Sequence, residues 1–375
     1  MAVEGLVLCK DLNLYECIQC GKCTGGCPVS IRTELNPRRL VYEALLNTRF
    51  VSSERTEIWE CTSCATCAER CPKQVKPYEI VKALRSDIIE SGRVKPTVRD
   101  ALESTFMHGN PWGRVREKRS EWTNGLSVRI LNENDKTDLL YFVCCTAAYD
   151  TRVRDLSQNM VKILKKTGID FAILGNEENC CANEMNEMGE KGLFEMVQEN
   201  NITLFAKYRF PLMVTTSPHC FHAFTNEYPE QPFDILHYTQ LFSQYIEKGK
   251  LKLRGELSKK VTYHDPCFLG KKNKVFDEPR YILQSIKGLE YLEMDRSRER
   301  SLCCEGGGGR MWTESESTED RLAEIRVNDA VQMGAEILAT ACPFCLLTLE
   351  DAVKTTGNEG KIEICDILEL LGQVI

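Results

Sequence analysis

Eight cysteines carry one pattern written twice. Cys17, Cys20, Cys23 and Cys27 are followed by Pro28, and Cys61, Cys64, Cys67 and Cys71 by Pro72, so that CxxCxxCxxxCP appears in two copies. Three thiolates at two-residue gaps can wrap three irons of one [4Fe-4S] cubane. The fourth, past a wider gap and turned by proline, reaches the cluster of the other copy. Ligation therefore crosses over: Cys17, Cys20, Cys23 and Cys71 hold one cubane, and Cys61, Cys64, Cys67 and Cys27 hold the second. Zinc sites pair two short cysteine clips across a loop and need no fourth cysteine from a remote repeat, which disfavours zinc.

Each motif must be held by the helix it runs into. Asn36 precedes Pro37 and the apolar positions Leu40, Val41, Ala44 and Leu45; Lys76 precedes Pro77 and Ile80, Val81, Leu84 and Ile88. Proline at the first helical position and the apolar stripe agree. The long spacer between Cys27 and Cys61 exceeds what a compact ferredoxin needs, so a helical dicluster domain is expected over residues 1–95, followed by a basic linker over 96–136.

Composition bounds the alternatives. The chain has 375 residues, is 42% hydrophobic and 27% charged, and holds twenty cysteines against five histidines. It is a folded protein of several units whose thiols need a chemical reason. Met1 to Lys10 lacks the apolar stretch of a secretory signal, so a reducing cytoplasm is expected, where clustered cysteines read as metal ligands or redox groups. The longest apolar run, Leu139 to Tyr149, is too short to cross a bilayer. A net charge of -7 argues against general nucleic-acid binding.

The remainder reads as one unit written twice, 137–255 and 256–375. Each copy opens with an apolar strand ending at cysteine, Leu139–Cys145 and Val261–Cys267, and continues into a helix closed by Gly168 or Gly288. A double cysteine follows, Cys180-Cys181 and Cys303-Cys304, then a helix. Further strands, Leu212–Thr215 and Ile337–Thr340, run into Ser217-Pro-His219-Cys220 and Cys342-Pro-Phe-Cys345. Alternating strands and helices predict a parallel sheet in each copy, with the cysteines gathered at the strands' carboxyl ends. The second copy offers Cys267, Cys303, Cys304, Cys342 and Cys345, more thiolates than one cubane takes, so an enlarged or opened cluster is the natural hypothesis. The first keeps Cys145, Cys180, Cys181 and Cys220 but has Ser217 where Cys342 is expected, and its cluster is left open. Cys144 is set aside because alternation along a strand would point it away from Cys145. Cys9 and Cys365 read as apolar fillers.

The segments His264-Asp-Pro-Cys267-Phe-Leu-Gly270, Cys303-Cys-Glu-Gly-Gly-Gly-Gly-Arg310-Met-Trp312 and Cys342-Pro-Phe-Cys345, with Gly109-Asn-Pro-Trp-Gly113 in the linker, resemble the cysteine-rich CCG domain of the heterodisulfide reductase family. The likeness covers nearly the whole chain and matches the D-type subunits, a ferredoxin part fused to two CCG domains; iron-sulfur subunits of glycolate oxidase and anaerobic glycerol-3-phosphate dehydrogenase are related. The resemblance implies a noncubane [4Fe-4S] cluster on the five cysteines of the second copy, with two cubanes relaying electrons to it for disulfide reduction or thiol oxidation. The alternative is an electron conduit between a flavoprotein or dehydrogenase and a quinone or cytochrome partner, with no small sulfur substrate. Glu305 and Ala182 depart from the family motif where glycine is expected.

Further expectations follow from the same residues. His264 and His219 lie beside cysteines as candidate proton donors. Gly306–Gly309 lacks the lysine of a phosphate loop and reads as letting backbone amides approach cluster sulfides. Arg310 reads equally as a contact for cluster or substrate charge and as solvated. The run Arg93, Lys95, Arg99, Arg114, Arg116, Lys118 and Arg119 reads as a solvated face. The chain shows no flavin, nicotinamide or haem motif, so electrons come from another polypeptide, a flavoprotein or other donor. A membrane cytochrome or quinone-reactive subunit would hold the chain peripherally at the inner membrane face.

Overall fold

In a computed structural model, residues 12–46, 55–315 and 317–375 are described; Cys9 lies outside them. The dicluster part is helical. The helix Pro37–Leu45 begins with Pro37 at its first position and Asn36 capping the Arg39 amide at 3.0 Å. The helix Pro77–Glu90 repeats the proline start and buries Ile80, Val81, Leu84 and Ile88. A third helix with the same start, Pro96–His108, occupies the linker and is closed by Gly109 in the left-handed conformation.

Both cysteine-rich copies form four-stranded, all-parallel sheets of one topology. The first has strands β1 (Leu139–Phe142), β2 (Phe171–Ala172), β3 (Leu212–Thr215) and β4 (Asp234–His237) in the order β2-β1-β3-β4. The second has β5 (Lys260–Tyr263), β6 (Glu290–Leu292), β7 (Ile337–Thr340) and β8 (Glu363–Asp366) in the order β6-β5-β7-β8. Corresponding registers agree, with Met213 beside Ile235 and Leu338 beside Ile364. The inner strands are buried on both faces, as parallel sheets covered by helices require. The opening strands stop at Phe142 and Tyr263, earlier than their apolar runs suggest, which frees the cysteines that follow from the alternation of a strand.

The copies pack as a pseudo-symmetric pair. The helix Arg154–Thr167 lies on Ile367–Val374, and Tyr238–Glu247 lies on Asp277–Ser285. At this seam the hydroxyl of Tyr238 donates to Asp366 Oδ1 at 2.6 Å, where Asp366 also caps its helix through the Leu368 amide at 2.9 Å. Burial pushes the Asp366 carboxyl up to about 8 from 3.8, despite both hydrogen bonds. A group whose folded pKa is raised stabilises fully below its unfolded value. That stability is lost as pH rises towards the folded value, here at up to about 1.4 kcal/mol per pH unit. The stability of the wild type relative to Asp366→Asn is therefore expected to fall between pH 4 and 8 and to level off above 8. Urea unfolding of both anaerobic proteins across this range checks it, and a flat difference would contradict it.

Candidate iron-sulfur sites

The two motifs of the dicluster domain share one backbone device. Gln19 and Gly21 have φ of 55° and 77°, and their counterparts Ser63 and Ala65 have φ of 51° and 61°. Left-handed residues beside successive cysteines curl each loop so that its thiols face inward, at a steric cost of about 1–2 kcal/mol for each non-glycine. One small cavity is lined by Cys17, Cys20, Cys23 and Cys71, and another by Cys27, Cys61, Cys64 and Cys67. These are the crossed sets that the spacing predicts. They differ in setting. Cys20 is exposed and Cys17, Cys23 and Cys71 are half-buried, whereas Cys27, Cys64 and Cys67 are buried.

The buried set abuts the second copy. The Cys64 thiol is within hydrogen-bonding reach of Cys303. Around this contact lie two buried cations. Lys271, 2% exposed, donates to Thr66 Oγ1 at 2.8 Å and Ser301 O at 2.6 Å, and Thr66 in turn meets Cys64 Sγ at 3.3 Å. Arg85, fully buried, donates from Nη1 to Glu187 O and Gly308 O, each at 2.9 Å, and from Nη2 to Ile58 O at 2.9 Å and Cys61 O at 2.7 Å. Among the described residues neither has a carboxylate partner within ion-pair distance. Unpaired buried cations are costly, and thiolate-ligated iron clusters are anionic, so this donor set fits the cofactor. Burial pushes the Cys61 thiol up to about 12, against the pull of Arg85; thiols in such a site give up their protons only when metal binds.

In the second copy the five thiols form a chain of neighbours, from Cys267 to Cys303, Cys304, Cys345 and Cys342. Cys304 and Cys345 approach to 3.1 Å between sulfurs. All five are buried. His264 joins Cys304 and Cys345, the three ligand atoms lying within 4.8 Å of one another. Its Nδ1 accepts from Arg326 Nε at 3.3 Å. A guanidinium only donates, so the ring hydrogen is assigned to Nε2, which is buried with no protein partner. The double cysteine is set by a left-handed residue after it: Glu305, φ 69°, aims its amide at Cys303 Sγ, 3.3 Å away. Ala182, φ 58°, does the same to Cys180 Sγ at 3.3 Å in the first copy. This conformation is why glycine is expected at both positions. Glu305 compensates by pairing with Arg32 of the dicluster domain.

His219 belongs to the first copy in sequence but serves the second in space. It stacks on Phe268 at 4.0 Å between ring centres, bonds Glu184 through Nδ1 at 2.7 Å and reaches Cys342. Burial alone would lower its pKa; Glu184 and Cys342 outweigh burial and raise it.

Three sequence expectations need correction. The glycine run makes room for protein: a Cβ on Gly308 would lie 2.7 Å from the Thr62 carbonyl carbon and one on Gly309 2.5 Å from Met188, while the Gly309 amide donates to Glu184 at 2.8 Å. Close docking against the dicluster loop at Gly308 and against the first copy at Gly309 is what excludes side chains at these two positions. The basic linker is not wholly a solvated face. Arg119 is 2% exposed, pairs with Glu178 at 2.5 Å and places both terminal nitrogens 3.6 Å from Cys145 Sγ. Finally, Cys144 does not point away from the other thiols. The strand has ended, Cys144 takes φ 76° and ψ 144°, and its thiol meets Cys220 and Ser217. The adjacent Cys144-Cys145 pair is the signal for it in the sequence, hidden because the apolar run continues past the end of the strand. Arg310 bonds Trp59 O at 3.3 Å, again tying the dicluster domain, and Cys365 lies buried inside β8.

Residues 13–75 match the 4Fe-4S dicluster domain, and 139–225 and 261–350 each match the cysteine-rich domain. The D-type polypeptide of the dihydromethanophenazine:CoB–CoM heterodisulfide reductase of Methanosarcina barkeri is 29% identical, over 99% of this chain and 96% of its own. The chain belongs to the family that joins a 4Fe-4S dicluster domain to two cysteine-rich domains. The chain is also 33% identical to the probable iron-sulfur-binding oxidoreductase FadF of Bacillus subtilis, over 79% of its residues. It is 29% identical to the EtfAB:quinone oxidoreductase of Syntrophomonas wolfei, over 96%. It spans 43% and 58% of those two proteins, about half their length. It is an iron-sulfur protein of the 4Fe-4S type.

Arg85 joins all three parts of the chain, so Arg85→Leu is expected to cost at least about 3 kcal/mol by leaving buried carbonyls unpaired. Arg85→Lys is expected to recover little of it, since an ammonium lacks the fork. The urea midpoint of the anaerobic holoprotein measures both, and a wild-type midpoint in either variant would contradict the assignment.

Proposed function

We propose that the chain takes electrons at the more exposed Cys17, Cys20, Cys23 and Cys71 set and passes them through the more buried Cys61, Cys64, Cys67 and Cys27 set to the second copy. There Cys267, Cys303, Cys304, Cys342 and Cys345 hold a noncubane [4Fe-4S] cluster for disulfide reduction or thiol oxidation. The observation that carries the reading is that the Cys64 and Cys303 thiols are neighbours, so that the two thiol sets adjoin. The clusters supply single-electron storage, two steps of which a disulfide requires. The protein's own share is placement. Arg85 and Lys271 offset negative charge at the junction, the Glu305 amide donates to Cys303, and His264 directs its Nε2 hydrogen into the second site as a fixed donor beside Cys304 and Cys345.

A second reading is favoured by burial. Phe344 stands against Trp112 and Trp312 with ring centres 6.2 Å away in each case, and Phe268 stacks on His219. The five cysteines beneath are at most 7% exposed. A site so covered suits a conduit from a flavoprotein to a quinone or cytochrome partner, in keeping with the names of FadF and the EtfAB:quinone oxidoreductase. No helix among the described residues is long and apolar enough to cross a membrane; attachment to one is proposed to come through such a partner.

Electron paramagnetic resonance of the oxidised protein separates the readings. A signal that appears with a thiol and is lost in Cys304→Ala is expected for sulfur chemistry. No signal with any of a panel of mono- and dithiols would contradict it and leave the conduit.

A further inference from the structure

The first copy has lost the cysteine that corresponds to Cys342, yet its thiols are arranged as in the second. There the order of contact is Cys267, Cys303, Cys304, Cys345, Cys342. In the first copy it is Cys145, Cys180, Cys181, Cys220, Cys144. Four members correspond by sequence. The fifth does not: Cys144 stands where the second copy has Pro266, and Ser217 stands where it has Cys342. Two departures from the repeat have moved one thiol from the end of the third strand to the end of the first, where Cys144 neighbours Cys220 and Ser217.

We infer that Cys144 takes the place left by Ser217 and completes a five-thiolate iron-sulfur site in the first copy; this rests on the proposed assignment of such a cluster to the second. Three features outside the thiols support it. Cys144 holds a backbone conformation, φ 76° and ψ 144°, that side chains rarely adopt and that persists only where its surroundings enforce it. The enforcing group is the Glu178 carboxylate, which accepts the amides of Val143 at 2.9 Å and Cys144 at 3.2 Å. Arg119 in turn fixes Glu178 and sets its guanidinium 3.6 Å from Cys145 Sγ, a buried cation facing the thiol set. All five thiols are buried, and none is in a disulfide. A buried thiol needs no strained backbone to serve as filler; five of them, with a cation and the Ala182 amide directed at sulfur, form the donor set of an anionic cluster.

The test counts iron and acid-labile sulfide in anaerobically purified full-length protein, with Mössbauer spectra to separate cluster types. At about four irons per cluster, the wild type is expected to hold about sixteen. Cys144→Ser, whose side chain fits the same space, is expected to hold about twelve with the dicluster spectrum unchanged. Cys144→Ser/Ser217→Cys, which restores the pattern of the second copy, is expected to return to about sixteen. Cys181→Ala is the control for the site itself. If Cys181→Ala loses about four irons while Cys144→Ser loses none, or if Ser217→Cys fails to restore what Cys144→Ser removes, the inference is overturned although the first-copy cluster stands. If the wild type holds about twelve and Cys181→Ala changes nothing, the first copy carries no cluster and the inference falls with it. If the wild type holds only about eight, the reading of the second copy fails as well.

Discussion

One buried guanidinium sets how the parts of this protein meet. Arg85 rises from the helix behind the second cysteine motif and gives its N–H groups to four carbonyls, two from the dicluster loop, one from the first cysteine-rich copy and one from the glycine run of the second. Burial lowers its pKa, and the thiol of Cys61 is the leading opposing influence. The charge is thus useful in two ways: it closes the junction by hydrogen bonding, and it faces the sulfur of Cys61, a proposed iron ligand. The glycines Gly308 and Gly309 follow from this constraint, because the loop that accepts from Arg85 must pass too close to Thr62 and Met188 for any Cβ.

Duplication explains the rest of the architecture, and divergence explains the function. Both sheets share one strand order, and both double cysteines are aimed by a left-handed residue whose amide meets the first sulfur. The surroundings differ. The second copy is bound to the dicluster domain through Lys271, Arg310 and the Arg32–Glu305 pair, whereas the first is tied to the linker through Arg119, and Gly109 O receives the Cys180 amide at 2.7 Å. Among the described residues, only the second has a dicluster cysteine beside its thiols. The first copy also lends His219 and Glu184 to its neighbour, so the two sites share a wall.

Much of this was legible in the residues. Cysteine spacing is restrictive, because the reach of a short loop around a cluster leaves few arrangements, and each of two small cavities is lined by the four cysteines of one set. The repeat disclosed both sheets, since βαβ order survives divergence. Three kinds of feature were not legible. Where a strand ends depends on hydrogen bonds to its neighbours, so the apolar run to Cys145 concealed a turn at Cys144. The two-residue strand β2 and three-residue strand β6 are too short to show a period. Contacts between distant parts, such as Arg119 with Cys145 and His219 with Cys342, depend on tertiary packing, and the basic residues of the linker look alike in sequence whether solvated or buried.

Electrons are proposed to cross from the dicluster domain to the second copy where Cys64 neighbours Cys303. Freeze-quenched electron paramagnetic resonance tests it directly, with a low-potential donor mixed into the oxidised wild type and into Cys64→Ala. In the wild type the dicluster signal should appear first and the second-copy cluster should be reduced after it, while in Cys64→Ala reduction of the second copy should be delayed or absent although its iron is retained. Reduction of the second copy at the wild-type rate in that variant would contradict the account.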